Sequence, residues 1–423
     1  MALIFKLYIL RKYDMKKTLT TFALSLMLTA CGGSDSKSNV TISENSYAVQ
    51  MVASDFGSSQ VAVGNITGDR TATQGIMGKS NSDYTISTYQ HTLYHIGKNT
   101  IDTIDSYNAN ESLRDAISSY SANDNGSGSA NTYRLLHSSD DNAYLIRYGS
   151  NSILQINPNA SSSNEFSVNN IDLSAYTVEG SNAPKMVDAA IYNNQLFVAM
   201  QRLDNNWVAN QAYIAVIDIS DPSNPQEIDT DPQSDGLKGI PLNARNTFTL
   251  VEHNGFLYAA GRGDYSNDNG GLDKIDASTY AVTSLIGSDD FSELNNTEEN
   301  IYYHVTGVAI IDDQTGYVTL NIESGFDSLE TKLVSFDPET GSSIAAVDFV
   351  NIIDKEIKTI KSGPDSKLWI GISNSENPGI IVLDTDTNTI NDEFISLEMP
   401  PIRIEFLSTD NLATENLVPA EEL

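Results

Sequence analysis

Five histidines and a single cysteine limit the chemistry open to these 423 residues. His91 and His95 share one strand region, but no cysteine or third histidine stands at metal-ligand spacing from them, so a zinc site has no support. His137 and His253 fall where innermost strands end and read as turn residues, and His304 stands alone. No G-x-S-x-G elbow, phosphate-binding glycine loop or H-E-x-x-H pair occurs, which leaves nucleophilic and metal-assisted hydrolysis without a sequence signal. Oxygen donors are commoner. The stretch DYSNDNGGLD sets Asp264, Asp268 and Asp273 close together, and Asp384, Asp386 and Asn388 have D-x-D-x-N spacing, both suited to a hard cation such as calcium. Neither carries a glycine at the sixth position of an EF-hand loop, so a solvated turn is the simpler expectation.

Basic residues follow a more regular pattern. Lys98, Arg147, Arg202 and Arg262 each close an apolar segment, four, three, five and four residues after Tyr94, Tyr144, Phe197 and Tyr258. Lys185 and Arg245 stand just before later segments of the same kind. Long neighbouring loops carry Phe56, Trp207, Tyr265 and Phe326. Guanidinium forks and ammonium groups beside aromatic rings suit an anionic or catecholate-like small ligand. The unequal offsets count against convergence, because a one-residue slip turns a strand side chain to the opposite face.

What must position these residues is a set of repeats. Period-two alternation runs through most of the chain, and helical periodicity is confined to Asn110 to Ser119. Anchors at Tyr47, Tyr94, Tyr144, Phe197, Tyr258, Val318 and Trp369 recur at intervals of 47, 50, 53, 61, 60 and 51 residues. Each anchor opens a strand that leads through a loop to another strand and a turn rich in Asp, Asn, Pro and Thr. Seven such units predict an all-β, seven-bladed propeller of four-stranded antiparallel blades over residues 46–410. A two-sheet sandwich, the rival architecture, leaves the seven similar intervals unexplained. The first unit lacks an innermost strand and the last has a surplus one, Ile402 to Leu407. The C-terminal strand is therefore expected to join the N-terminal blade and close the ring, leaving residues 411–423 as a tail.

Two units resemble named repeats. KLWIGISNSENPGIIVLDTDTNTI is similar to the YVTN repeat of seven-bladed propellers, and YIAVIDISDPSNPQEI resembles the LVIVD repeat of extracellular propellers. The N-terminus has a resemblance of its own. Met15-Lys16-Lys17, the apolar run Leu19 to Met27 and Leu28-Thr29-Ala30 before Cys31 resemble a lipoprotein signal peptide ending in a lipobox. That run, about ten residues, is too short to span roughly 30 Å of hydrocarbon as a helix. The resemblance implies translation from Met15, removal of residues 1–30, lipidation of Cys31 and a flexible tether over 31–45. Gly32, where an aspartate would retain the protein at the inner membrane, points to the outer membrane, with the domain facing the periplasm or the medium.

Charge narrows the partners. Five of the 24 basic residues and one of the 56 acidic ones precede Cys31, so the remainder carries a formal charge of −36. Such a surface repels nucleic acid. With no second cysteine, no disulfide staples the domain. The expectation is a lipid-anchored binding or scaffold propeller holding an envelope protein or small, anionic ligand on one face, without a resident cofactor. The alternatives are a propeller enzyme of lyase or lactonase type and a calcium-assisted cell-surface adhesion module.

Overall fold

The structure is a computed structural model. It describes residues 39–409 apart from 124–127, 234–235, 265–266, 268, 288–289, 292–300, 325–326, 348–355, 375, 388 and 391–393. Cys31, the signal segment, Tyr265, Asp268, Phe326 and Asn388 lie outside the described residues.

Seven antiparallel sheets follow one another along the chain, each a path of four strands from the innermost outward. In blades 4 and 7 the outermost position is shared by two short strands on the same edge, Gln226–Glu227 with Ile240–Pro241 and Thr389–Ile390 with Ile395–Ser396. The innermost strands of blades 2 to 7 are Tyr84–Tyr89, Thr132–Ser139, Met186–Tyr192, Thr247–His253, Tyr302–Ile310 and Ile357–Ser362. Pro401–Leu407 supplies that of blade 1 and pairs with Ser46–Val52, setting Ile404 opposite Val49. Each innermost strand touches the next, and Pro401–Leu407 touches those of both blade 7 and blade 2, so the ring is closed as the repeats predict.

Why the sheets stack follows from their middle strands. In Gln195–Met200 of blade 4, Leu196, Val198 and Met200 pack toward blade 3 while Phe197 and Ala199 pack toward blade 5. Alternation thus feeds two interfaces at once, because both faces of each sheet are covered. Seven apolar clusters result, one between each pair of neighbouring blades. At the seam, buried Trp369 of blade 7 meets Tyr47 of blade 1 at 5.0 Å between ring centroids, and its Nε1 donates to Asp365 at 3.1 Å.

Two local features depart from the sequence reading. Residues 110–117 form turns, with Leu113 buried and its N–H donating to Val40 O at 2.8 Å. Val40 and Ile42, within the expected tether, pack on the cluster between blades 1 and 2, and the Ile42 N–H donates to Ala109 O at 2.8 Å. Order therefore begins ahead of the first strand.

A third feature positions the site. In six of the seven innermost strands the pairing register slips by one residue, bypassing Ile402, Tyr133, Val187, Phe248, Thr306 and Lys358; blade 2 alone pairs regularly. Such a β-bulge bends the strand and re-aims the side chains on either side of it.

Candidate functional site

Strand direction defines two faces of the ring. Tyr84, Thr132, Met186 and Thr247, which open innermost strands, pair with Gly97, Arg147, Met200 and Gly261 at the ends of second strands. Lys98, Arg147, Arg202, Arg262, Lys185 and Arg245 therefore share one face, the loop face. The tight turns after the innermost strands form the opposite, hairpin face.

The three second-strand arginines turn sideways and latch structure together. Arg147, 1% exposed, donates from Nη1 to Ala122 O of blade 2 at 3.2 Å, from Nε to Ser152 O at 3.1 Å and from Nη2 to Asn170 Oδ1 at 2.8 Å. Arg202 donates to Tyr176 O and Gln211 O, both at 2.9 Å, with its guanidinium 4.9 Å from the Tyr213 ring centroid. Arg262 pairs with buried Glu323 of blade 6, and its carbonyl accepts from His304 Nδ1 at 2.7 Å. Arg245 Nη1 donates to Ala209 O at 3.0 Å, tying blade 5 to the Trp207 loop of blade 4. Trp207 is 62% exposed, at a loop tip held in the left-handed region, φ 63°.

The two lysines behave differently. Lys98 Nζ lies 5.3 Å from the centroid of Tyr133, the residue expelled by the bulge of blade 3. Tyr133 stacks on Tyr148 at 5.0 Å and 21°, and Lys185 Nζ lies 5.3 Å from the Tyr148 centroid. A ladder of lysine, tyrosine, tyrosine and lysine thus crosses blades 2, 3 and 4, all four residues half-buried. Lys185 is held in the left-handed region, φ 64°, and its ammonium donates to Asn182 Oδ1 at 2.8 Å. Burial pushes both ammonium groups below the usual lysine range, with nearby Asp83 opposing the shift at Lys98.

Asp264 and Asp273 are occupied by separate structural tasks. Asp264 Oδ1 accepts from Ala209 N at 2.9 Å and Oδ2 from Asn269 Nδ2 at 2.8 Å. Asp273, fully buried, accepts the N–H groups of Asn243 and Ala244 at 2.7 and 2.9 Å on Oδ2, and burial pushes its carboxyl up. Among the described residues no group of three or more His, Cys, Asp or Glu is placed to hold a metal.

The central channel holds a constellation absent from the sequence reading. Glu405 of blade 1 accepts Arg134 Nη1 and Arg403 Nε on Oε1, both at 2.8 Å, and pairs with Lys361 through Oε2. Arg134 Nε also lies 3.0 Å from Asp188 Oδ1, while Asp188 Oδ2 accepts the N–H of Leu250 at 3.0 Å. Three cations therefore surround two carboxylates. Beside them a cavity of about 220 Å³ runs toward the hairpin face, lined by Ser87, Tyr89, Arg134, His137, Ser138 and Ile191. The His137 ring stacks on Tyr89 at 3.9 Å, its Nδ1–H donates to Ser139 O and its Nε2 accepts from Tyr94 Oη, each at 3.0 Å. Burial depresses its pKa to about 4, so the imidazole is neutral with both nitrogens engaged.

No family model and no curated protein matches the sequence. Solved structures share the ring. A protein from Lactobacillus plantarum and the periplasmic gluconolactonase of Pseudomonas aeruginosa each align over 86% of this chain and 100% of their own, at 12% identity and TM-score 0.58. A candidate 6-phosphogluconolactonase from Bacteroides uniformis aligns over 86% of this chain and 99% of its own, at 11% identity and TM-score 0.54. At such identities the likeness is one of fold, the seven-bladed β-propeller, which hosts many unrelated activities.

Proposed function

We propose that the protein is an extracytoplasmic binding propeller, anchored in the outer membrane through lipidated Cys31, that holds a small anionic aromatic or catecholate-like ligand on its loop face. The observation that carries this reading is the ladder. In so acidic a chain, Lys98 and Lys185 stand at either end of the Tyr133 and Tyr148 stack, and neither forms an ion pair with a carboxylate among the described residues. Two partly desolvated ammonium groups flanking aromatic faces favour a planar anion over a neutral ligand. Arg147, Arg202 and Arg262 support the fold around this surface. The motif at Cys31 and a periplasmic protein among the fold relatives support the location.

The test is titration of the full chain with the anionic fluorophore 1-anilinonaphthalene-8-sulfonate. Lys98→Gln with Lys185→Gln should weaken binding at least tenfold, the equivalent of about 1.4 kcal/mol. Unchanged binding removes the reading. Cys31→Ala should release the protein from the membrane fraction.

A lactone-hydrolysing enzyme is the second reading, favoured by the lactonases among the fold relatives and by His137, Arg134 and Glu405 lining one cavity. Against it, His137 has no nitrogen free to take a proton, and the Glu405 oxygens are held by three cations. Proton release from gluconolactone above the uncatalysed rate, lost in Glu405→Gln, would establish it.

A further inference from the structure

We infer that the channel cavity at the hairpin face is a second binding site, independent of the loop-face ladder, for a short-chain carboxylate. Three observations converge on it. The cluster at its inner end carries one more positive than negative charge, with Arg134, Lys361 and Arg403 set against Glu405 and Asp188. An excess charge only partly screened by water draws an anion. Arg134 also keeps an arm in reserve. Its Nε faces Asp188 and its Nη1 Glu405, while Nη2 forms no hydrogen bond among the described residues; the side chain, 20% exposed, lines the cavity. A carboxylate oxygen is the natural acceptor for the remaining donors of that fork.

The rest of the lining sets the size and character of the ligand. Leu135, Leu136 and Ile191 supply apolar wall and Ser87 and Ser138 supply hydroxyl groups, so a short apolar body behind the carboxylate has surface to cover. About 220 Å³ is below the roughly 300–1,000 Å³ of sites for drug-sized ligands, which limits the ligand to a few carbons. Blade 2 forms one side of it: its innermost strand, the one that pairs without a bulge, contributes Ser87, Thr88 and Tyr89 to the lining.

The experiment is isothermal titration of the full chain with butyrate, with inorganic phosphate as the control anion and near-ultraviolet circular dichroism to verify each fold. Butyrate should bind and phosphate should bind at least tenfold more weakly. Ile191→Trp, which fills the cavity without touching the charges, should weaken butyrate at least tenfold, and so should Arg134→Gln where that variant folds. Lys98→Gln with Lys185→Gln should leave butyrate unaffected, separating this site from the loop face. Absence of butyrate binding, phosphate binding as tightly as butyrate, or full butyrate affinity in folded Ile191→Trp would each overturn the inference.

Discussion

Acidification from neutral pH should weaken this ring through His95. The side chain is fully buried between blades 1 and 2, stacked on Tyr84 at 4.5 Å, and neither ring nitrogen has a hydrogen-bond partner among the described residues. Lys79 and Asp105, an ion pair at 3.6 Å, are the charged groups beside it. Burial, and then the positive charge of Lys79, push its pKa down to about 3 from the ordinary 6.5. The folded value lies below the unfolded one, so between those values the unfolded chain binds more protons. Stability from this group is thus complete above pH 6.5 and is lost as pH falls toward 3. At pH 5 the loss is 1.5 pH units at 1.36 kcal/mol each, about 2 kcal/mol.

His95→Leu removes the titrating group and both unpartnered nitrogens, and gives up a ring stack worth about 0.5–1.5 kcal/mol. Urea unfolding at pH 7.5 and 5.0, followed by tryptophan fluorescence, should show the parent losing about 2 kcal/mol more than the variant over that interval. Groups common to both proteins cancel in the difference. These include His137, depressed to about 4, and the buried Asp188 and Asp273, which shift upward. A difference under ~0.5 kcal/mol would refute the reasoning, since it would mean that the imidazole is solvated or paired when folded.

Three further outcomes test the architecture. Glu405→Gln leaves Arg134, Arg403 and Lys361 facing one another, and chemical denaturation should show a loss of about 3 kcal/mol, held to the low end of the buried-pair range by the 26% and 32% exposure of Arg403 and Lys361. Trp369→Ala empties the seam between the last and first blades and should cost about 3–5 kcal/mol, read as a lowered thermal midpoint. Arg147→Met takes the guanidinium from Ala122 O, Ser152 O and Asn170 Oδ1, the last of which keeps Ser152 Oγ, and should cost on the order of 2–3 kcal/mol by denaturation while leaving anionic-probe affinity within twofold.

The closed ring was legible because every repeat carries the same two-sided alternation. All seven anchors, Tyr47 through Trp369, are buried in second strands, and the surplus C-terminal strand met the one blade lacking an inner edge. The candidate binding groups were legible only as positions on a face. Spacing identified Lys98, Arg147, Arg202 and Arg262 as equivalents, but side-chain direction separates them: Arg147 is buried against the carbonyls of Ala122 and Ser152 while Lys98 lies over the Tyr133 ring. The decisive element is the bulge, which adjacent residues reveal only through their pairing. In blade 3 it sends Tyr133 to the loop-face stack and the next residue, Arg134, into the channel. Unbroken period-two alternation would also part these neighbours, yet it would put each in line with an adjacent-blade core, where a guanidinium has no acceptor. One signal was present nonetheless. Arg134, Asp188, Arg403 and Glu405 place charges inside innermost strands, and charges so placed must find one another, which in a ring means across its axis. The bulge that spoils the sequence pattern is therefore what parts these neighbours: the same extra residue that sets a tyrosine on the loop face frees the arginine behind it to face the channel.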